Sequence, residues 1–247
     1  MNARHSIIVR TLASLLAVAL IGAAPPARHP AAPPVTLPPE QSVKPGINDR
    51  WKSNDIAPLV ASLEDEGREI YSQREALAAL TGPRVGSVVA DVGAGSGFMS
   101  EIFARLVGPE GKVFAADINA GLMEHLAKDS ADKGIANLQT VVCGEQSVNL
   151  PPQSVDLVFI CDTYHHFEYP KHTMQSIYEA LRPGGEIVLV DFYRVEGKSQ
   201  PWIMTHVRAG EEVFSQEIVD SGFELINQHH MPNLPQNYAL RFRKVGK

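Results

Sequence analysis

Val88-Val89-Ala90-Asp91-Val92-Gly93-Ala94-Gly95-Ser96-Gly97 is the stretch that decides the fold of this 247-residue chain. Residues 88–92 read as a buried strand, and the pattern over residues 98–107 reads as a helix. The glycine-rich turn lies directly between them, where the chain must bend sharply and a ligand must come close to the backbone. Its spacing is G-x-G-x-G, with Phe98 standing where a dinucleotide fingerprint has its third glycine. No Gly-Lys-Ser/Thr follows, so a P-loop is also disfavoured. Asp91, two residues before the first glycine, places an anion that repels a phosphate and welcomes an ammonium group.

Outward from this loop, apolar runs alternate with helical patterns. Further strands are expected at 113–116, 138–142, 155–160, 187–190, 223–228 and 238–243, and helices at 121–133, 173–181 and 211–221. The central strands are mostly apolar throughout, as a parallel sheet covered on both faces requires. The expected architecture is therefore a doubly wound, mostly parallel α/β fold. Upstream, Leu59, Leu63, Ile70, Leu77 and Leu80 recur at helical spacings, which predicts one or two amphipathic helices laid against the domain. The sequence shows no internal repeat, and residues 46–247 read as a single domain with an N-terminal helical extension.

Four ordered segments carry a resemblance. Asp91-Val92-Gly93-Ala94-Gly95-Ser96-Gly97 resembles the first motif of the class I S-adenosylmethionine-dependent methyltransferases. Val113-Phe114-Ala115-Ala116-Asp117 ends a second strand in an acid, similar to the residue whose carboxylate accepts both ribose hydroxyls. Asp162-Thr163-Tyr164-His165-His166 resembles the segment, often Asn-x-x-His-His, that lines the methyl-transfer site of small-molecule members. Leu181-Arg182-Pro183-Gly184-Gly185 with Ile187-Val188-Leu189-Val190 is similar to the turn and fifth strand of that fold.

The resemblance covers residues 85–191. It implies a Rossmann-like, seven-stranded sheet of order 3-2-1-4-5-7-6 and S-adenosyl-L-methionine as cofactor. The cofactor-binding residues it implies are Asp91, Gly93, Gly95, Gly97, Asp117, Ile118, Glu145 and Asp162. Two positions depart from the family pattern: Gly144-Glu145-Gln146 replaces the common Gly-Asp-Ala, and Asp162 replaces the usual Asn, adding a negative charge close to the sulfonium.

The sulfonium methyl is already a good electrophile, so catalysis asks mainly for positioning and exclusion of water. A base near pH 7 helps remove the acceptor's proton. His165 and His166, at a strand's carboxyl end, are the first candidates, with His206 and Asp191 second. A cluster of His166, Asp162, Asp191 and His206 would suit a divalent metal, but sequence spacing does not establish that they converge, and no metal site is assigned. His229 and His230 read as surface residues. Trp51, Tyr71 and Trp202 flank the motifs as pocket walls or as packing. Cys143 and Cys161 end strands three spacings apart in the implied order, roughly 14 Å, too far for a disulfide.

The leading function is a methyltransferase acting on a small molecule. The alternatives are a protein that binds S-adenosylmethionine or S-adenosylhomocysteine without turnover, and a protein methyltransferase. A nucleic-acid partner is disfavoured by 28 acidic against 22 basic residues, a formal charge of −6. Residues 1–39 hold no acid and carry Arg4, Arg10 and Arg28, with an apolar run over residues 12–24 that ends Gly22-Ala23-Ala24. At 13 residues the run is short for a bilayer span, so residues 1–24 read as an export signal, with an organelle transit segment as the alternative. No integral membrane span is expected in the mature form, and the oligomeric state is open. Eight prolines in residues 25–45 predict a linker outside the fold.

Overall fold

The computed structural model describes residues 37–246. The expected export segment and most of the proline-rich stretch lie outside the described residues. Seven strands form one sheet: β1 (Val88–Val92), β2 (Lys112–Asp117), β3 (Leu138–Val142), β4 (Val155–Cys161), β5 (Leu181–Phe192), β6 (Phe223–His229) and β7 (Asn237–Lys244). Their spatial order is β3-β2-β1-β4-β5-β7-β6. The β3-to-β5 part is parallel throughout, whereas β7 runs antiparallel to both β5 and β6. The sheet is thus mixed, because the chain returns from β6 to β7 through a short connection rather than a helical crossover.

Helices α1 (Ala57–Leu63), α2 (Glu69–Ser72) and α3 (Arg74–Thr81) precede the sheet. Then come α4 (Phe98–Val107), α5 (Ala120–Asp132), α6 (Pro170–Ala180), α7 (Pro201–His206) and α8 (Glu211–Asp220). Successive strand residues point to opposite faces. On one face Ala90, Val158, Ile160, Ile187 and Leu189 pack against Met174 and Ile177 of α6 and Phe214 and Ile218 of α8. On the other, Val89, Val113, Phe159 and Val188 pack against Leu77 of α3 and Met99, Ile102 and Phe103 of α4. Burial on both faces is the reason these strands carry no polar alternation.

Strand β5 starts earlier than its apolar run. Val155 stands opposite Leu181, but Leu157 stands opposite Glu186, so residues 182–185 bulge out between two paired stretches. Gly184 supplies the positive φ of 72° that this bulge needs.

Part of the expected linker belongs to the fold. Glu40 accepts the backbone N–H groups of Lys171 and His172 at the start of α6, at 3.1 and 3.0 Å. Those amides have no partner within the helix, and a carboxylate is well matched to them. Ser42 Oγ donates to Glu168 Oε2 at 2.7 Å, Val43 N donates to Glu168 O at 2.9 Å, and Lys44 donates to the carbonyls of Thr205 and His206. Proline removes donors but leaves these side chains free to bond, which is why residues 40–45 are strapped down rather than loose. No helix of the described residues is long and apolar enough to cross a membrane.

Candidate active site

One cavity of about 690 Å³ lies outside the carboxyl ends of β1, β2, β4 and β5, the place where open α/β sheets hold ligands. The glycine turn forms its floor at Gly93 and Gly95, and Asp117 and Ile118 form one end. The histidine cluster forms the other end, and Asn48, Trp51 and Arg68 of the N-terminal extension line it as well.

Asp117 is held in position by backbone. Its Oδ2 accepts from Gly95 N at 3.0 Å and its Oδ1 from Asn119 N at 2.9 Å, which leaves further lone pairs on both oxygens for a pair of hydroxyl donors. Burial raises its pKa despite these bonds. Asp91 is buried and accepts from Ser100 Oγ at 2.6 Å. Burial first, and then the charge of Asp117, push its carboxyl up to about 7. Among the described residues no cationic side chain bonds to it, so a cationic ligand group would meet no competing counter-ion there and would favour the ionised carboxylate. A cavity of this size, a diol-accepting carboxylate at one end and an uncompensated acid beside the glycine turn fit S-adenosylmethionine.

Two implied contacts take a different form. Gly97 is absent from the cavity lining: it has φ +88°, and a Cβ there would sit 2.3 Å from Leu126 Cδ1 of α5. Its glycine requirement comes from helix packing behind the loop. Glu145 stands at the rim with its side chain 45% exposed, and its Oε1 is 2.6 Å from Lys52 Nζ. The added charge of Asp162 is also compensated, by Arg68 at 3.2 Å and by a hydrogen bond from Asn237 Nδ2 at 2.8 Å. Burial still raises Asp162 to about 6, against the opposing pull of Arg68. Asp162 adopts φ +48°, a left-handed conformation that Asp and Asn tolerate better than most residues.

At the far end His165, His166 and His206 converge, with ring centroids 4.3, 5.2 and 5.1 Å apart. His165 is 2% exposed and its Nδ1 lies 2.8 Å from Asp191 Oδ1. Asp191 is fully buried outside the cavity lining; it also accepts from the backbone N–H groups of His165 and Phe192, at 3.2 and 2.8 Å. Its oxygens are therefore committed to positioning His165, and it is no proton acceptor for a substrate. His166 Nδ1 lies 3.2 Å from Asn48 Oδ1. Burial, then His165 and His206, push the pKa of His166 down to about 2, which makes it a poor base near neutrality. The pKa of His206 is lowered by burial and then by His165.

Trp51 and Trp202 line the cavity, but Tyr71 does not; it packs edge-on against Phe98 at 5.1 Å, with the Arg74 guanidinium over its ring. Asn48 and Arg68, which no motif marks, reach the site from 118 and 94 residues away. The Asn48 signal was absent because it arises from tertiary contact alone. Cys143 and Cys161 are free.

Residues 90–189 match a family model described as a methyltransferase domain. The ubiquinone/menaquinone biosynthesis C-methyltransferase of Ectopseudomonas mendocina is 26% identical over 181 residues, covering 62% of this chain and 71% of the relative. The protein of the same description from Hahella chejuensis is 32% identical over 113 residues, covering 45% of each chain. A SAM-dependent methyltransferase structure from Aquifex aeolicus superposes with TM-score 0.68 at 22% identity, over 77% of this chain and 99% of that one. Residues 90–189 are thus an S-adenosylmethionine-dependent methyltransferase domain, and the strand-end pocket that their glycine turn and Asp117 help to form is where its methyl donor fits.

Proposed function

We propose that the chain methylates a small molecule, as the leading sequence reading expects, and that this acceptor is partly apolar and sits between the glycine turn and the histidine cluster. The observation that carries this reading is the single cavity shared by Asp117 at one end and His165, His166 and His206 at the other. The cofactor supplies an electrophilic methyl group. Asp117 takes the ribose hydroxyls, and Asp91 takes the cationic amino group. Phe167, Phe192, Trp51 and Trp202 wall the acceptor end and keep water from it.

Proton removal falls to the histidine end. Asp191 holds the Nδ1 proton of His165, so the lone pair of Nε2 is the one presented to the cavity. The described C-methyltransferase relatives make an activated carbon, such as an electron-rich ring or an enol, one acceptor class to screen beside hydroxyls and thiols. Export directed by residues 1–24 belongs to the same reading, on the strength of the acid-free start and the apolar run.

Calorimetric titration with S-adenosylmethionine and S-adenosylhomocysteine, beside Asp117→Ala, tests the first step. We expect binding in the wild type and loss of at least tenfold in affinity in the variant, because two hydrogen bonds to a carboxylate are removed. Folded wild-type protein that binds neither ligand would defeat the reading. Given binding, methyl transfer from labelled cofactor across the acceptor classes tests the second step.

A further inference from the structure

The three histidines form more than a basic end wall. One ligand atom from each of His165, His166 and His206 lies within 4.8 Å of the others. The tautomers of two follow from their partners. Asp191 Oδ1 only accepts, so His165 carries its proton on Nδ1 and its Nε2 is a free donor of electrons. The Asn48 amide is oriented by its Nδ2, which donates to His166 O at 3.0 Å and to Glu168 Oε1 at 3.4 Å, so its Oδ1 faces His166 as an acceptor. His166 therefore also carries its proton on Nδ1 and offers Nε2. That Nε2 points at His206 Nε2, 3.4 Å away.

Two imidazole nitrogens bound tetrahedrally to zinc at 2.0–2.1 Å stand about 3.3 Å apart, so this pair already has the spacing of two ligands on one ion. A carboxylate or amide oxygen on the remote N–H is the usual support behind metal-ligating histidines. Aromatic rings close the surroundings: Trp51 is 6.1 Å from His166, and Trp202 is 4.9 Å from Phe192 and 6.3 Å from His206.

We propose that His165, His166 and His206 hold a divalent d-block cation, zinc by preference, through their Nε2 atoms, with the fourth position open to the cavity. As a role for this ion the inference rests on the methyltransferase reading above; as a binding site it does not. An acceptor hydroxyl or enol oxygen displaces water from the open position, and its proton leaves to solvent. The oxygen, or the carbon conjugated to it, then forms the new bond to the methyl carbon as the carbon–sulfur bond breaks, its electron pair passing to sulfur. The products are the methylated acceptor, neutral thioether and one proton. In the loaded protein His165 is a ligand, with Asp191 and Asn48 as positioning residues.

The chain's two tryptophans both flank the cluster, which gives a readout independent of activity. Full-length protein stripped with chelator is titrated with Co²⁺, following visible ligand-field absorption and tryptophan quenching, and zinc content is measured after dialysis. We expect one equivalent per chain, a tetrahedral-type spectrum and quenching. His206→Ala, in a short half-exposed helix, should weaken binding at least tenfold, and Asn48→Ala roughly tenfold. Circular dichroism and a thermal melt of His206→Ala serve as the folding control. Absence of a bound equivalent in the wild type, or equal binding by His206→Ala, would overturn the metal site and leave the methyltransferase reading standing. Metal binding without cofactor binding would do the reverse.

Discussion

Asp91 shows how a single buried acid links fold, ligand and pH. With its carboxyl pushed to about 7, the folded protein binds a proton there that the unfolded chain releases near the ordinary carboxylate value. The stabilising contribution is full below about pH 4, is lost as pH rises toward 7, and is absent above it. Asp91→Asn should therefore raise the stability of ligand-free protein at pH 8 by about 2–4 kcal/mol and flatten the pH profile, as read by chemical denaturation. The same change should weaken S-adenosylmethionine, since a cationic group prefers the carboxylate. In the wild type, affinity should rise from pH 6 to pH 8 for that reason. A variant that gains neither stability nor pH independence would show that Asp91 is already ionised in the empty pocket.

At the scale of elements, Gly97 packs against Leu126 while Gly93 and Gly95 line the pocket. Gly97→Ala combines a positive φ with a 2.3 Å approach to Leu126 Cδ1, so it should cost about 1–3 kcal/mol of stability in thermal melts. Cofactor affinity should change only a few-fold, because the side chain grows away from the cavity. The strand β1 and the helix α4 were legible in the sequence to the residue, since an apolar run and a clean helical period specify them without help. Pro201–His206 was not: six residues make under two turns, too few to show a period. The strap of residues 40–45 was hidden for a different reason. Its proline content argues for a loose chain, and its bonds to Glu168, Lys171 and His172 depend on a surface assembled more than a hundred residues later. The candidate site divides the same way. The cofactor half lies in consecutive motifs, whereas the histidine half needs Asn48, Asp191 and His206 brought together by folding.

Across the whole molecule, the two thiols, both at strand ends lining the cavity, test how readily a reagent reaches the ligand side of the sheet. Burial raises Cys143 to about 12 and drives Cys161 well above the ordinary thiol value, so neither is a thiolate at pH 8. Both should resist an alkylating reagent in native protein and react once it is unfolded, with mass spectrometry counting the adducts. A reductant should leave the melting temperature unchanged, because both cysteines are free. Rapid native labelling of Cys161 would mean that the reagent enters the cavity that Cys161 lines and that its thiol is more acidic there than burial implies.

The left-handed backbone at Asp162 has one more consequence. Asp and Asn are the side chains that tolerate this conformation best after glycine, so the position can exchange one for the other with little backbone penalty. The exchange keeps an oxygen for Asn237 but strands the guanidinium of Arg68. Over evolutionary time, residues 68 and 162 are therefore expected to drift as a couple: the shape at the strand end stays put while the charge beside it is free to be rewritten.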